Sequence, residues 1–268
     1  IGKLLLYPYY YAQLVYDGMK KDKRDDIVTL SRCAYLGTQK FGTVVWSGDI
    51  PSTFESLSDQ VKAGLNMSMC GIPWWTTDIG GFTGGNIKDP RFHELLIRWF
   101  QFGVFCPVTR LHGFRLPMDF SISDAAKMFN QPFGSGAENE LWSYGKEVYE
   151  ILRSCVLTRE RLRPYVTKQM EAAHGKGTPV IRPLFYDFPD EEICWDIDDE
   201  YMFGPDVLVA PVLYEGMTKR TAYLPKGKTW IEVNTRKTYK GGSTVTCDAP
   251  IDVIPVFTTN GMEFSFAR

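Results

Sequence analysis

The sequence predicts an α/β chain: the second half of a (β/α)8 barrel followed by an all-β sandwich domain. Three observations carry this. Up to about residue 175, short β-rich runs alternate with helical patterns, which implies βαβ units and a parallel sheet. Only about four strands fit in that stretch, whereas a whole barrel takes about 250 residues. Past Gly177, strand patterns follow one another with turn signals every ~8–15 residues and no helix between them, as in a β-sandwich. The expected domains are residues 1–176 and 177–268.

The elements follow in chain order. Leu5 to Met19 reads as an amphipathic helix with Tyr10, Leu14 and Met19 on one face. IVTLSRCAYL and TVVWSGD are short strands set apart by Gly37 and Gly42. Ser52 is expected to cap the next helix, with Glu55 three residues on completing a capping box. Leu57, Val61 and Leu65 then recur at helical spacing. GIPWWTTD is a strand running into the glycine-rich IGGFTGG. Asp89-Pro90 opens a helix that carries Leu95, Leu96, Trp99 and Phe100. VFCPVTRL reads as a strand ending at His112-Gly113, followed by a loop of roughly 25 residues, a length associated with function. A long helix from about Glu138 to His174 closes the first region. TPVIRPLFYDF, EYMFGPDVLVAPVL, RTAYLP, TWIEVNT and PIDVIPVF are the strands of the second.

Composition excludes several classes. Hydrophobic residues make up 44% of 268, enough for a sizeable core and against intrinsic disorder. The net charge of -2 leaves no basic surplus to neutralise phosphates, so no nucleic-acid partner is expected. No apolar run approaches the ~20 residues of a membrane span, and no signal peptide is visible. The chain starts at Ile1 and is expected to be a piece of something longer. Its six cysteines are dispersed without a C-x-x-C pair, which argues against a zinc site or a disulfide framework and suits reduced thiols in the cytoplasm. With three scattered histidines and no phosphate-loop or nucleophile-elbow motif, no metal or organic cofactor is implied. The aromatic share of 14% suits stacking on sugar faces as well as an ordinary core.

In a barrel, polar residues at the carboxyl ends of strands are the usual catalytic and binding groups. Arg32, Asp49, Asp78 and His112 each stand at such an end. Each has a plain structural reading: an Asp after a strand often forms a turn or caps a helix, and Arg32 could neutralise a neighbouring acid. Their recurrence at four strand ends points to a barrel enzyme acting on sugars.

These residues lie in segments that resemble glycoside hydrolase family 31, the retaining α-glucosidases and α-xylosidases. The segments are R-C-A-Y-L-G-T-Q-K-F-G-T-V-V-W-S-G-D (Arg32 to Asp49), G-L-N-M-S-M-C-G-I-P-W-W-T-T-D-I-G-G-F (Gly64 to Phe82) and R-L-H-G (Arg110 to Gly113). Downstream, R-P-L-F-Y-D-F and Y-M-F-G-P-D-V-L-V-A-P-V look like the start of the family's proximal C-terminal β domain. The resemblance implies that Asp49 is the general acid/base and that Arg32, Trp46, Asp78, Phe82 and His112 line the subsite gripping the sugar. A retaining glycosidase sets two carboxyl groups about 5–5.5 Å apart, one forming a glycosyl ester and the other moving the proton.

The family's nucleophilic Asp lies in a motif upstream of the segment that begins here, and no such motif is found in this chain. The nucleophile is therefore expected on an upstream segment, and the missing half of the barrel or a self-associating partner is expected to cover the open sheet edges. The W-W-T-T-D-I-G-G-F stretch looks closer to the α-xylosidase branch. An exo-acting α-xylosidase is the favoured reading. An α-glucosidase, a catalytically incomplete carbohydrate-binding fragment and a transglycosylase stay open.

Overall fold

A computed structural model describes residues 4–119, 135–259 and 261–267. A short 3-10 turn at Leu4–Leu6 leads into helix α1 (Tyr7–Lys21). Strands β1 (Thr29–Ser31), β2 (Thr43–Trp46) and β3 (Trp75–Thr76) pair side by side, all parallel. Helix α2 (Phe54–Met69) crosses from β2 to β3, and α3 (Pro90–Val104) follows β3. Asp89 caps α3 by accepting from Arg91 N at 2.9 Å, with Pro90 in its first turn. Leu95, Leu96, Trp99 and Phe100 are buried as their spacing predicts.

Several expectations are corrected. Thr53, not Ser52, caps α2: its backbone is extended and its side chain accepts from Ser56 N at 3.1 Å. Glu55 is then one residue short of the capping-box position. The strand expected at VFCPVTRL is reduced to one parallel bridge, Leu111 to Ile79. Val104 ends α3 instead, and Pro107 offers no N–H for a ladder. The helix expected over Glu138–His174 is two helices, α4 (Lys146–Arg161) and α5 (Arg163–Lys176). Pro164 sits in the first turn of α5, where its missing N–H costs nothing, whereas inside a continuous helix it would break a bond. The face proposed for α1 is also wrong. Tyr10 and Leu14 are exposed, and the helix packs through Tyr9 and Tyr16 onto Phe41.

The predicted 25-residue loop is partly structured. Strands β4 (Gly85–Asn86), β5 (Arg115–Asp119) and β6 (Ser135–Ala137) form a small sheet over the strand ends. The middle of that loop lies outside the described residues.

The second region holds a six-stranded sheet in the order β12-β11-β14-β9-β8-β7, with every pairing antiparallel. Its strands are β7 (Ile181–Arg182), β8 (Tyr201–Phe203), β9 (Val207–Val209), β11 (Thr229–Glu232), β12 (Thr238–Lys240) and β14 (Val256–Thr258). A two-stranded antiparallel sheet of β10 (Lys219–Leu224) and β13 (Ser243–Asp248) forms the other layer. β12 and β13 were not expected. Two single-turn helices, α6 (Leu184–Asp187) and α7 (Ile193–Asp196), interrupt what was read as a helix-free run.

The central sheet is buried on both faces. Tyr201, Phe203, Val207, Val209 and Val256 join a core with Trp99, Phe105 and Leu152 of the barrel part. The alternate residues Met202, Leu208 and Phe257 pack with Trp230, Ala222 and Leu224. Strands buried on both faces lose polar alternation and read as continuous apolar runs.

Candidate active site

The parallel register sets the site. Leu30 pairs with Val44, Val45 with Trp75 and Trp46 with Thr76. Side chains alternate between faces along a strand. Trp75 is buried among the helices. Val44, Trp46 and Trp74 therefore face the inside of the barrel. By the same alternation Arg32, Asp78, Arg110 and His112 follow at its carboxyl rim.

All six residues singled out from the sequence lie at that rim, and most are linked through direct contacts. Arg32 Nη2 donates to Asp49 Oδ1 at 2.8 Å. Both side chains are well exposed, so water screens this pair and its energetic weight is small. The Arg32 guanidinium lies 5.6 Å from the Trp46 ring centre and that of Arg110 lies 5.7 Å from it, both within cation–π reach. Arg110 Nη1 in turn donates to Oδ1 of Asp78, which is fully buried. The Phe82 and His112 rings are 5.5 Å apart.

Asp78 is the electrostatically unusual member. Burial pushes its carboxyl pKa up, opposed by the charges of Arg110 and His112. Its second oxygen, Oδ2, is buried and has no hydrogen-bond partner among the described residues. A dry, unpaired carboxylate oxygen is costly. It is an acceptor that no donor among the described residues satisfies.

Backbone bonds hold the loops that carry these groups. Phe82 N donates to Ile50 O at 2.7 Å and Ser52 N to Thr83 O at 2.7 Å, joining the Asp49 loop to the Asp78 loop. Phe114 N donates to Phe82 O at 2.8 Å, joining that loop to the His112 segment. Arg110 is the hub that sequence reasoning passed over. The available signal was its position two residues before His112, which puts both on one face of an extended segment. Among the described residues no cluster of three or more His, Cys, Asp or Glu could hold a metal, and no helix is long and apolar enough to cross a membrane.

Residues 5–169 match the TIM-barrel domain of glycosyl hydrolases family 31, and residues 177–262 match the family's C-terminal domain. The chain belongs to glycosyl hydrolase family 31. Within the family it is 33% identical over 265 residues to an alpha-xylosidase of Saccharolobus solfataricus, covering 97% of this chain and 33% of that protein. It is 34% identical over 290 residues to Alpha-xylosidase A of Aspergillus niger, covering 98% of this chain and 38% of that one. Among solved structures, a GH31 alpha-xylosidase from a soil metagenome complexed with xylose superposes with a TM-score of 0.92 at 56% identity, over 96% of this chain and 38% of that chain. The chain thus spans roughly a third of the length of these family 31 relatives.

Proposed function

We propose that this chain supplies the acid/base half of the active site of a retaining, exo-acting α-glycoside hydrolase that prefers α-xylosides. The observation that carries the reading is the rim network, in which Asp49, Arg32, Trp46, Arg110 and Asp78 are joined contact by contact. Asp49 protonates the leaving oxygen and then takes a proton from the incoming water. The Asp78 carboxylate accepts a sugar hydroxyl. Phe82 walls the ring, with His112 beside it on the hydroxyl side. Arg32 exchanges part of its hold on Asp49 for the substrate. The attacking carboxylate comes from the upstream part of the protein.

That upstream half also covers the open face of the barrel. Tyr7, Tyr10, Leu14, Val28 and Leu30 are exposed there, and burying them is favourable by roughly 25 cal/mol per Å². A second copy of the chain is the other candidate for that surface. The division of the chain into catalytic and β-sandwich parts at Lys176 belongs to the same proposal. Likeness to alpha-xylosidases supports xylose over glucose. The methylene of the hydroxymethyl group that separates the two sugars is worth ~1–3 kcal/mol in a pocket, and a group that hydrogen-bonds its hydroxyl adds to that.

The test is to complete the barrel with the upstream segment and compare aryl α-xylosides with aryl α-glucosides. The expected result is hydrolysis with α-xylosides favoured. Asp49→Asn is expected to lose about 10²–10⁴-fold on substrates with poor leaving groups. Unchanged turnover of those substrates would remove Asp49 from the acid/base role, and a preference for α-glucosides would move the specificity to the second reading.

A further inference from the structure

We infer that Arg115 is a positioning residue that fixes the Asp78 and Phe82 loop and the His112 segment in register with each other. The inference rests on the reading of the rim as a sugar-gripping site. Arg115 is fully buried at the start of β5, three residues past His112. Its guanidinium fork spans two of the three loops described above. Nη1 donates to Gly81 O at 2.8 Å and Nη2 to Ile79 O at 3.0 Å. Those carbonyls stand on either side of Gly80, in the turn between Asp78 and Phe82. Nη2 also reaches His112 O at 3.4 Å. Nε donates to Asn139 Oδ1 at 2.9 Å, and the Tyr144 hydroxyl donates to the same oxygen. The Phe92 ring lies 4.9 Å below the guanidinium.

The chain around Arg115 is shaped to admit it. A Cβ at Gly113 would come within 2.5 Å of the guanidinium carbon, and one at Gly80, where φ is +88°, within 2.9 Å of Nη2. Gly113 of R-L-H-G and Gly80 of D-I-G-G-F thus make room for one side chain as well as turning the backbone. A planar fork with five donors can hold several carbonyls at fixed angles, which an ammonium cannot. Asp78, Phe82 and His112 hang directly from the backbone so held. Arg115 touches none of their reactive atoms and acts through their placement.

The test uses Arg115→Lys, which keeps the charge and loses the fork. Amide hydrogen exchange is measured first, on this chain. The expected result is exchange about tenfold faster or more at residues 79–83 and 111–114, with β2 and the β-sandwich unchanged. In the barrel-completed enzyme, kcat/KM for aryl α-xylosides is expected to fall about 10²-fold, the scale of a 1 Å misplacement. The fall is the same for good and poor leaving groups, because grip on the ring is lost rather than proton delivery. Combined with His112→Ala the losses are less than additive, because both act at one place.

Faster exchange spread evenly over the whole barrel part, or kinetics unchanged from wild type, would overturn the inference and leave Arg115 as ordinary core. If Arg115→Lys does not fold, Asn139→Ala removes only the Nε acceptor. It is expected to give the same exchange pattern at smaller amplitude, and exchange unchanged at residues 79–83 would overturn the inference. If the wild-type barrel-completed enzyme hydrolyses neither glycoside, the functional reading fails by itself, and the exchange pattern still decides for or against Arg115.

Discussion

The barrel part and the β-sandwich part of this chain bury their strands to different extents. In the sandwich, β8, β9 and β14 are buried along their whole length, with Tyr201, Met202, Phe203, Val207 and Phe257 at 0% exposure. In the barrel part, β1 is an edge strand whose Leu30 is 46% exposed, and α1 before it presents Tyr7, Tyr10 and Leu14 to solvent. An apolar strand is stable where another layer of the same chain covers it. Where the covering layer lies elsewhere, the same composition becomes an interface. The first 36 residues thus leave apolar side chains uncovered within this chain, and the last 90 or so bury theirs in a closed sandwich.

The largest effect that would sharpen this contrast is in the sandwich core. Trp230→Ala removes a fully buried indole whose Nε1 donates to Pro225 O at 2.9 Å. It is expected to cost about 3–5 kcal/mol, read as a lower midpoint in denaturant melts.

A smaller loss is expected at the seam between the parts. Arg98 on α3 is buried and donates to the carbonyls of Met217, Ala249, Pro250 and Val253 from the sandwich side. Arg98→Met removes the donor to these carbonyls; with water reaching the others, one that stays dry costs about 1–3 kcal/mol. Melting followed separately in the two parts is expected to lose its coincidence. A single transition shifted as a whole would show that the remaining apolar contacts suffice to couple them.

The sandwich also predicts a pH dependence. Burial raises the Glu200 carboxyl from its ordinary 4.5 to about 8, although Tyr223 N donates to it. Between those values the folded chain keeps a proton that the unfolded chain has released. Stability from this group is full below pH 4.5 and declines as pH rises through about 8. Glu200→Gln is expected to flatten that decline in melts taken across the window, and an unchanged slope would assign it to other groups.

The smallest effect belongs to the open face. Leu14→Ser at a 71% exposed position is expected to change the stability of this chain by no more than ~0.5 kcal/mol. It is expected to weaken binding of the upstream half in a pull-down or titration. A large loss of stability in the chain alone would mean that the face is already covered.

Much of the site was legible in the sequence for a geometric reason. Parallel barrel strands all bring their carboxyl ends to one rim, so Arg32, Asp49, Asp78 and His112 could be grouped without coordinates. The groups that were missed act through tertiary contacts. Arg110 pairs with Asp78 across neighbouring segments, and Arg115 is buried among three carbonyls from two loops. Neither pairing has a fixed spacing in sequence. In the fold, Pro164 did mark the break between α4 and α5, but a helical pattern continuing on both sides masks such a signal. The face of α1 was misjudged because Tyr9 and Tyr16 compete with Tyr10 and Leu14 for the core, and only the position of Phe41 decides between them.

The central claim is that Asp49 moves the proton while a carboxylate outside this chain forms the ester. Azide rescue of Asp49→Ala in the barrel-completed enzyme tests it most directly, using an aryl α-xyloside with a good leaving group. In a retaining enzyme without its acid/base, azide attacks the glycosyl ester from the face that water uses. The account predicts restored turnover and α-xylosyl azide as product, with net retention. β-Xylosyl azide, formed by direct displacement with inversion, would make Asp49 the nucleophile and contradict the account.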